Sequence, residues 1–331
     1  MSDEIIVPQL YCPFPSRINP SVERANDYSV DWVRRMELVP AFMSELTFRM
    51  IKVAELSGRT FAEAGPEALE LITAWNSWLH FWDDQCDEAD IGRRPEMVAA
   101  RESRFMRILR GDGLRPDDGP IALALHELCK RMRAMASADW MERFIHRVSE
   151  YFEACVWEAK NRATHKVPDV ATYILRRRQS GAVYTEFVLF EIALGVVLPK
   201  EAREHPVIER LSRMANNVVS WSNDVISFDK EMERGDFHNL PLVLQSEHRI
   251  SLQEAVFRAA GFVECEVRSF IEWEAAIPTF GPQVDPGVRT YVSFLRDWMR
   301  GNIDWSLKSG RFRPGETVRA SALKMMGMAS G

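Results

Sequence analysis

The segment Asp83-Asp84-Gln85-Cys86-Asp87-Glu88 concentrates four acids in six residues. On a helix, Asp83/Asp87 and Asp84/Glu88 are i, i+4 pairs, which stack like charges on one side. Gly92 and Pro95 mark the end of that helix, so the acids also sit where the backbone dipole is already negative. A divalent cation relieves both penalties. Oxygen ligands of this kind suit Mg²⁺ or Mn²⁺, which usually keep several waters and share the phosphates of a substrate. An EF-hand loop is excluded, because its sixth position would be Glu88 where glycine is required. A second string, Asn223-Asp224-Val225-Ile226-Ser227-Phe228-Asp229-Lys230-Glu231, places Asn223, Ser227 and Glu231 on one i+4 stripe. Each step rises about 6 Å, so the short Asn and Ser must converge with the longer Glu to share one ion. Lys230 adds a point charge suited to a phosphate.

The elements that carry these residues are helical. Leu71, Ile72, Trp75, Trp78, Leu79 and Trp82 repeat at the helical period, and Asp83 continues the line of Trp75 and Leu79. Residues 211–234 read as a second helix, in which Ala215 and Val219 precede Asn223 on the same stripe. Residues 121–167 carry no Gly or Pro and are rich in good helix formers. The apolar stretch Ala182 to Leu198, broken only by Glu186 and Glu191, reads as a buried helix. Alternating β-branched runs and Asn-Gly turns are missing from the sequence. Breaker clusters divide the chain into about ten helical segments joined by loops of ordinary length. Pro8, Pro13, Pro15 and Pro20 make residues 1–20 an extended arm. Residues 21–331 read as a single all-α domain with no linker and no repeat.

Composition narrows the function classes. The 331 residues carry 42 Lys plus Arg against 48 Asp plus Glu, a net charge of −6. That balance argues against a general nucleic-acid binder. Five scattered cysteines without a CxxC or Cys/His cluster fit reduced thiols and give no zinc site. The acidic start Met1-Ser2-Asp3-Glu4 lacks the features of a secretory signal, and no apolar run has the length of a membrane span. A cytoplasmic protein is expected.

The second string resembles the (N/D)DxxSxxxE metal motif of class I terpene synthases, including the Lys before the Glu. The first is similar to the same family's aspartate-rich motif. It satisfies both the DDxxD and the DDxxxE spelling, so either Asp87 or Glu88 serves as the distal acid. The motifs lie 140 residues apart (223 − 83), which is typical of a member of that family, and the pair resembles that of a bacterial member. The resemblance also implies a diphosphate-sensing arginine 46 residues before Asn223, which is Arg177, then a linker residue, Ser180, and an effector, Gly181, whose carbonyl faces the substrate. Gly181 interrupts a helical pattern at a cost of about 1 kcal/mol relative to Ala, and such a break would free a carbonyl. Asp236, His238 and Asn239 look like the family's following loop. Arg311-Phe312 stands where the family usually ends in Arg-Tyr, so the arginine can still bind diphosphate while the phenol is missing. The proline-rich arm resembles the segment that covers the active site in relatives.

What the resemblance implies is a class I terpenoid synthase-like helical bundle around a central apolar cavity. Its metal ligands would be Asp83, Asp84, Asp87, Glu88, Asn223, Ser227 and Glu231, with three Mg²⁺ ions. Arg177, Lys230 and Arg311 would bind the diphosphate through charge-assisted hydrogen bonds. Asp83, Arg177 and Gly181 are the catalytic candidates. The expected reaction is ionisation and cyclisation of an isoprenoid diphosphate, with the metals acting as Lewis acids toward the leaving group. The fifteen-carbon farnesyl diphosphate is the expected substrate, with ten- and twenty-carbon homologues and either a hydrocarbon or an alcohol product left open. The allylic cation must be shielded from water and can be stabilised over aromatic faces. Trp78, Phe81, Trp82, Phe187, Trp298 and Trp305 are cavity candidates, and His80 receives no role. The same resemblance leaves monomer or homodimer open. Two rivals stand beside this reading. A chain-elongating prenyl diphosphate synthase would need a second DDxxD in place of Asn223/Ser227/Glu231. A non-catalytic helical scaffold would bind a divalent ion without diphosphate.

Overall fold

The computed structural model describes residues 5–39, 45–87 and 90–312. Within them the chain forms α1 (Val22–Arg35), α2 (Glu45–Ile51), α3 (Val53–Thr60), α4 (Pro66–Asp87), α5 (Pro95–Leu109), α6 (Pro120–Met135) and α7 (Ala138–Thr164). There follow α8 (Val170–Ser180), α9 (Val183–Leu194), α10 (Lys200–Arg203), α11 (Pro206–Glu233), α12 (Leu240–His248), α13 (Leu252–Glu274) and α14 (Asp285–Ser306). Short 3₁₀ turns cover Asp90–Arg93 and Gly310–Phe312. There is no strand among the described residues, so the all-α expectation holds. No described helix is long and apolar enough to cross a membrane.

Helix boundaries follow local chemistry. Residues 121–167, free of Gly and Pro, nevertheless divide into α6 and α7. Ala136 is extended, and the Ser137 side chain accepts a hydrogen bond from the Trp140 amide, capping α7. Asp169 and Ser251 cap α8 and α13 in the same way. Pro66, Pro95, Pro120 and Pro206 open their helices at the position where a missing N–H costs nothing.

Two helices organise the core. α4 packs against α1, α3, α6 and α9, and α11 against α8, α9, α12, α13 and α14. Trp75, Trp78 and Trp82 on α4 are fully buried, as are Leu211, Val218, Val225 and Phe228 on α11. A buried Leu-sized side chain contributes about 1.5–3 kcal/mol, so this double interior holds the two motif-bearing helices in a fixed relation. The close approach of α14 to α3 is set by Gly301: a Cβ there would lie 2.9 Å from the Arg59 backbone and its Cβ. Because backbone cannot step aside, Gly301→Ala is expected to destabilise the fold by about 1–3 kcal/mol. A denaturant titration that leaves the midpoint in place would refute this packing.

The arm runs along the bundle before α1. Ser16 donates to Asp304 at 2.6 Å, Arg17 pairs with Asp297 at 3.1 Å, and the Asn19 amide bonds the Phe61 and Ala64 carbonyls. None of its described residues lines the large cavity described next.

Candidate active site

One cavity is lined by residues of α3, α4, α7, α8, α9, α11 and α14, with Asp83 near the C-terminal end of α4 among them. The side of α4 that faces it is Asn76, Leu79, His80 and Asp83, a set at helical spacing. The tryptophans of the same helix face elsewhere. Trp78 stacks on Trp75 at 5.2 Å and meets Phe105 and Phe152, Trp82 packs on Phe105, and Phe81 stacks on Phe48. Trp78, Phe81 and Trp82 are therefore core residues, which corrects the expectation that they line the cavity. Phe187 is a further correction, since it is buried against Phe294, Trp298 and Tyr184 behind the wall. Of the six aromatic candidates, Trp298 and Trp305 line the cavity.

At the mouth, Arg311 reaches across to the aspartate-rich segment. Its guanidinium donates to Asp83 at 2.6 Å and to Asp84 at 2.8 Å. Burial raises the Asp83 carboxyl above its ordinary range despite Arg311, while for Asp84 the pull of Arg311 and Lys230 overcomes burial and lowers it. Lys230 is pushed down to about 8 by burial and by the neighbouring Arg311 and Arg234. Asp87 closes α4, but its side chain lies outside the described residues, as does all of Glu88.

On the opposite wall Asn223, Glu231 and Lys230 face the cavity. The Ser227 hydroxyl donates to Glu231 at 2.6 Å, and the Asn239 amide donates to the other Glu231 oxygen at 2.9 Å. Burial, reinforced by Asp224, pushes Glu231 up to about 7. Of the three stripe residues, Ser227 and Glu231 are in contact and Asn223 shares the cavity lining with Glu231, while the Asn239 carbonyl oxygen is buried without a partner. Among the described residues, no three carboxylates, thiols or imidazoles form a metal site of their own. A cation here needs mixed amide, hydroxyl and carboxylate oxygens, completed by oxygens from elsewhere. That donor set fits a hard divalent ion held jointly with a phosphate group.

Arg177 is positioned by a buried network. Its guanidinium donates to Asp224 at 2.9 Å and to Asn223 at 3.1 Å. Asp224 also accepts from the Tyr173 hydroxyl at 2.7 Å and the Leu240 amide at 3.1 Å. Asp224 is wholly buried. Sequence reasoning gave it no role of its own. Arg176 and Arg178 turn away, to Gln179 and Asn217. The loop after α11 is tied by Asp236, which accepts from His238 at 2.8 Å and from Arg162 at 2.8 Å. Those partners outweigh burial and hold the carboxyl far below its usual range. Glu158, also unanticipated, lines the cavity beside Arg162.

The break between α8 and α9 falls at Gly181 and Ala182, and both line the cavity. The left-handed residue is Ala182, with φ 56°. Gly181 has an ordinary φ of −72°. A Cβ on Gly181 would stand 2.9 Å from the Ser220 hydroxyl on α11 and 3.4 Å from the Arg177 carbonyl oxygen. His80 lines the cavity too, with Nδ1 2.7 Å from the Asn76 carbonyl. Burial and Arg311 push it down to about 4, so it is neutral near pH 7. Phe312 meets Trp305 edge to face at 5.4 Å, at the rim.

Comparison with known proteins identifies the family. Residues 74–269 match the family described as terpene synthase family 2, C-terminal metal binding. Germacrene A synthase from Nostoc punctiforme is 34% identical over 97% of this chain and 100% of its own length. A (+)-T-muurolol synthase from Roseiflexus castenholzii, described as cyclizing (2E,6E)-farnesyl diphosphate, is 37% identical over 92% of this chain and 94% of its own. The crystal structure of germacradien-4-ol synthase from Streptomyces citricolor superposes with a TM-score of 0.81 at 25% identity, covering 92% of this chain and 98% of that one. With both motif helices facing one cavity and relatives matched over nearly their full lengths, the chain belongs to the class I terpene synthase family.

Proposed function

We propose that the protein ionises and cyclises farnesyl diphosphate, releasing diphosphate, as a carbon–oxygen lyase of the cytoplasm. The observation that carries this reading is one cavity lined by Asp83 from α4 and by Asn223, Lys230 and Glu231 from α11, with Arg177 and Arg311 in the same lining; Asp84 is bonded to Arg311 and Ser227 to Glu231. The relatives that cyclise farnesyl diphosphate support the fifteen-carbon choice.

In this reading residues 21–331 form the catalytic domain, with residues 1–20 as its arm. Asp83, Asp84, Asn223, Ser227 and Glu231, together with Asp87 or Glu88, would hold three Mg²⁺ ions, which supply Lewis acidity toward the departing diphosphate. The chain's own groups do the rest. Arg177, fixed by Asp224, and Lys230 and Arg311 donate to the diphosphate oxygens. Arg311 must leave Asp83 and Asp84 to do so, which frees those carboxylates as ligands. Gly181 presents its carbonyl to the nascent cation at the α8–α9 break. Trp298 and Trp305 offer aromatic faces and exclude water.

The test incubates the protein and Mg²⁺ with geranyl, farnesyl or geranylgeranyl diphosphate, with and without isopentenyl diphosphate. A cyclic fifteen-carbon terpene from farnesyl diphosphate alone is the expected result. Longer prenyl diphosphates would establish the chain-elongating alternative. Calorimetric binding of Mg²⁺ without diphosphate, and no turnover, would establish the scaffold.

A further inference from the structure

Glu186 is a buried acid that the proposed metal and diphosphate chemistry does not use. It lies on α9, lines the cavity and is 2% exposed. Its Oε2 accepts one long hydrogen bond, 3.4 Å from the Asn76 amide, and its Oε1 is buried without a partner. An under-bonded buried carboxyl costs stability and calls for an explanation in terms of function. Burial pushes the group up to about 8, with Asn76 and Trp75 offsetting this only in part, so it is mostly neutral near pH 7.

Its depth in the cavity indicates what it meets. Asn76 lies seven residues before Asp83 on α4, which places Glu186 about 10 Å below the aspartate-rich end. Asp83, Lys230 and Arg311 all stand at that upper end. A prenyl chain anchored by its diphosphate there passes its first carbons at Gly181 and Ala182 and brings its distal double bonds to the level of Glu186. Leu79, Val183 and Trp298 line the cavity with apolar surface, and Ser180, Ser220 and Asn302 line it with neutral polar groups; Glu186 adds a carboxyl away from the diphosphate end.

We propose that Glu186 is a specificity-determining residue whose oxygen lone pairs stabilise positive charge at the distal end of the prenyl chain and so direct where the ring closes. This rests on the cyclase reading above and deepens it. No proton moves in this role. The carboxyl acts as a fixed dipole aimed where charge develops, in a site that excludes water.

The experiment compares Glu186→Gln and Glu186→Leu by two readouts, diphosphate release and the chromatographic product profile from farnesyl diphosphate. Glu186→Gln keeps an oxygen dipole and is expected to retain the principal product. Glu186→Leu is expected to release diphosphate within about threefold of the wild-type rate, because the clamp is untouched, while the principal product falls at least about tenfold in favour of acyclic or earlier-quenched terpenes. An unchanged profile in Glu186→Leu overturns the proposal. So does a Glu186→Gln profile as altered as that of Glu186→Leu, since the dipole would then not be the operative feature. Thermal unfolding controls for folding, and Glu186→Leu is expected to melt no lower than wild type, because it removes an orphaned polar atom. Melting well below wild type would assign Glu186 a structural role and also overturn the proposal. Failure of the cyclase reading is separately visible as an absence of diphosphate release from the wild-type protein.

Discussion

Asp83→Asn is expected to lose about 10²–10³-fold in turnover or more, the scale on which removing one group that stabilises developing charge is felt, while far-ultraviolet circular dichroism stays unchanged. The two halves of this expectation have different causes. Asp83 lies at the cavity mouth, where it accepts from Arg311 at 2.6 Å. Asparagine has nearly the same shape but cannot supply an anionic ligand. The fold is expected to survive, because asparagine keeps the shape of the side chain and Asp84 still accepts from Arg311. Asn223→Ala should behave alike from the opposite wall. There the loss removes a proposed ligand and one of the acceptors that aim Arg177. Steady-state diphosphate release checks both variants. Unchanged turnover in either would remove the two-sided clamp from the mechanism.

The residues legible in the sequence were those whose types carry an unfavourable local cost. Stacked acids at the end of α4 and an amide–hydroxyl–carboxylate stripe on α11 make little sense as isolated helices; Asp83 from the first and Asn223 and Glu231 from the second line one cavity. The all-α class was legible from periodicity and breakers, yet the division of α6 from α7 was not. Ser137 ends the run by capping rather than by breaking. The aromatic assignments failed for a different reason. α4 is surrounded by α1, α3, α6 and α9, so its apolar residues had several buried faces to occupy. Trp75, Trp78 and Trp82 took the face toward Phe105, Phe144 and Phe152. The cavity face was marked instead by its polar members, Asn76, His80 and Asp83, at the same spacing. On a helix buried all round, polarity at helical period is the better guide to a site, because only a cavity or a buried partner tolerates it. Asp224 and Glu186 belong to this class. Their significance depends on partners far along the chain, Tyr173 and Arg177 for one and Asn76 for the other.

Asp224→Ala is expected to cost about 3–5 kcal/mol of stability, the range for breaking a buried ion pair by removing one partner, together with most of the turnover. Burial raises the Asp224 carboxyl, and the Arg177 guanidinium, the Tyr173 hydroxyl and the Leu240 amide each pull it back. Alanine leaves all three donors without that acceptor. The loss of turnover would follow from misplacement of Arg177, which stands at the cavity on the strength of this network. A second substitution separates the two effects. Arg177→Met added to Asp224→Ala removes the uncompensated charge, so part of the lost stability should return. Turnover should not return, because methionine cannot donate to a diphosphate. Chemical denaturation and diphosphate release, measured on the two single variants and the double variant, form a cycle in which stability couples and activity does not recover. A double variant that regained activity would mean that Arg177 does not touch the leaving group. A single Asp224→Ala variant as stable as wild type would mean that the ion pair seen in the structure does not hold α8 against α11.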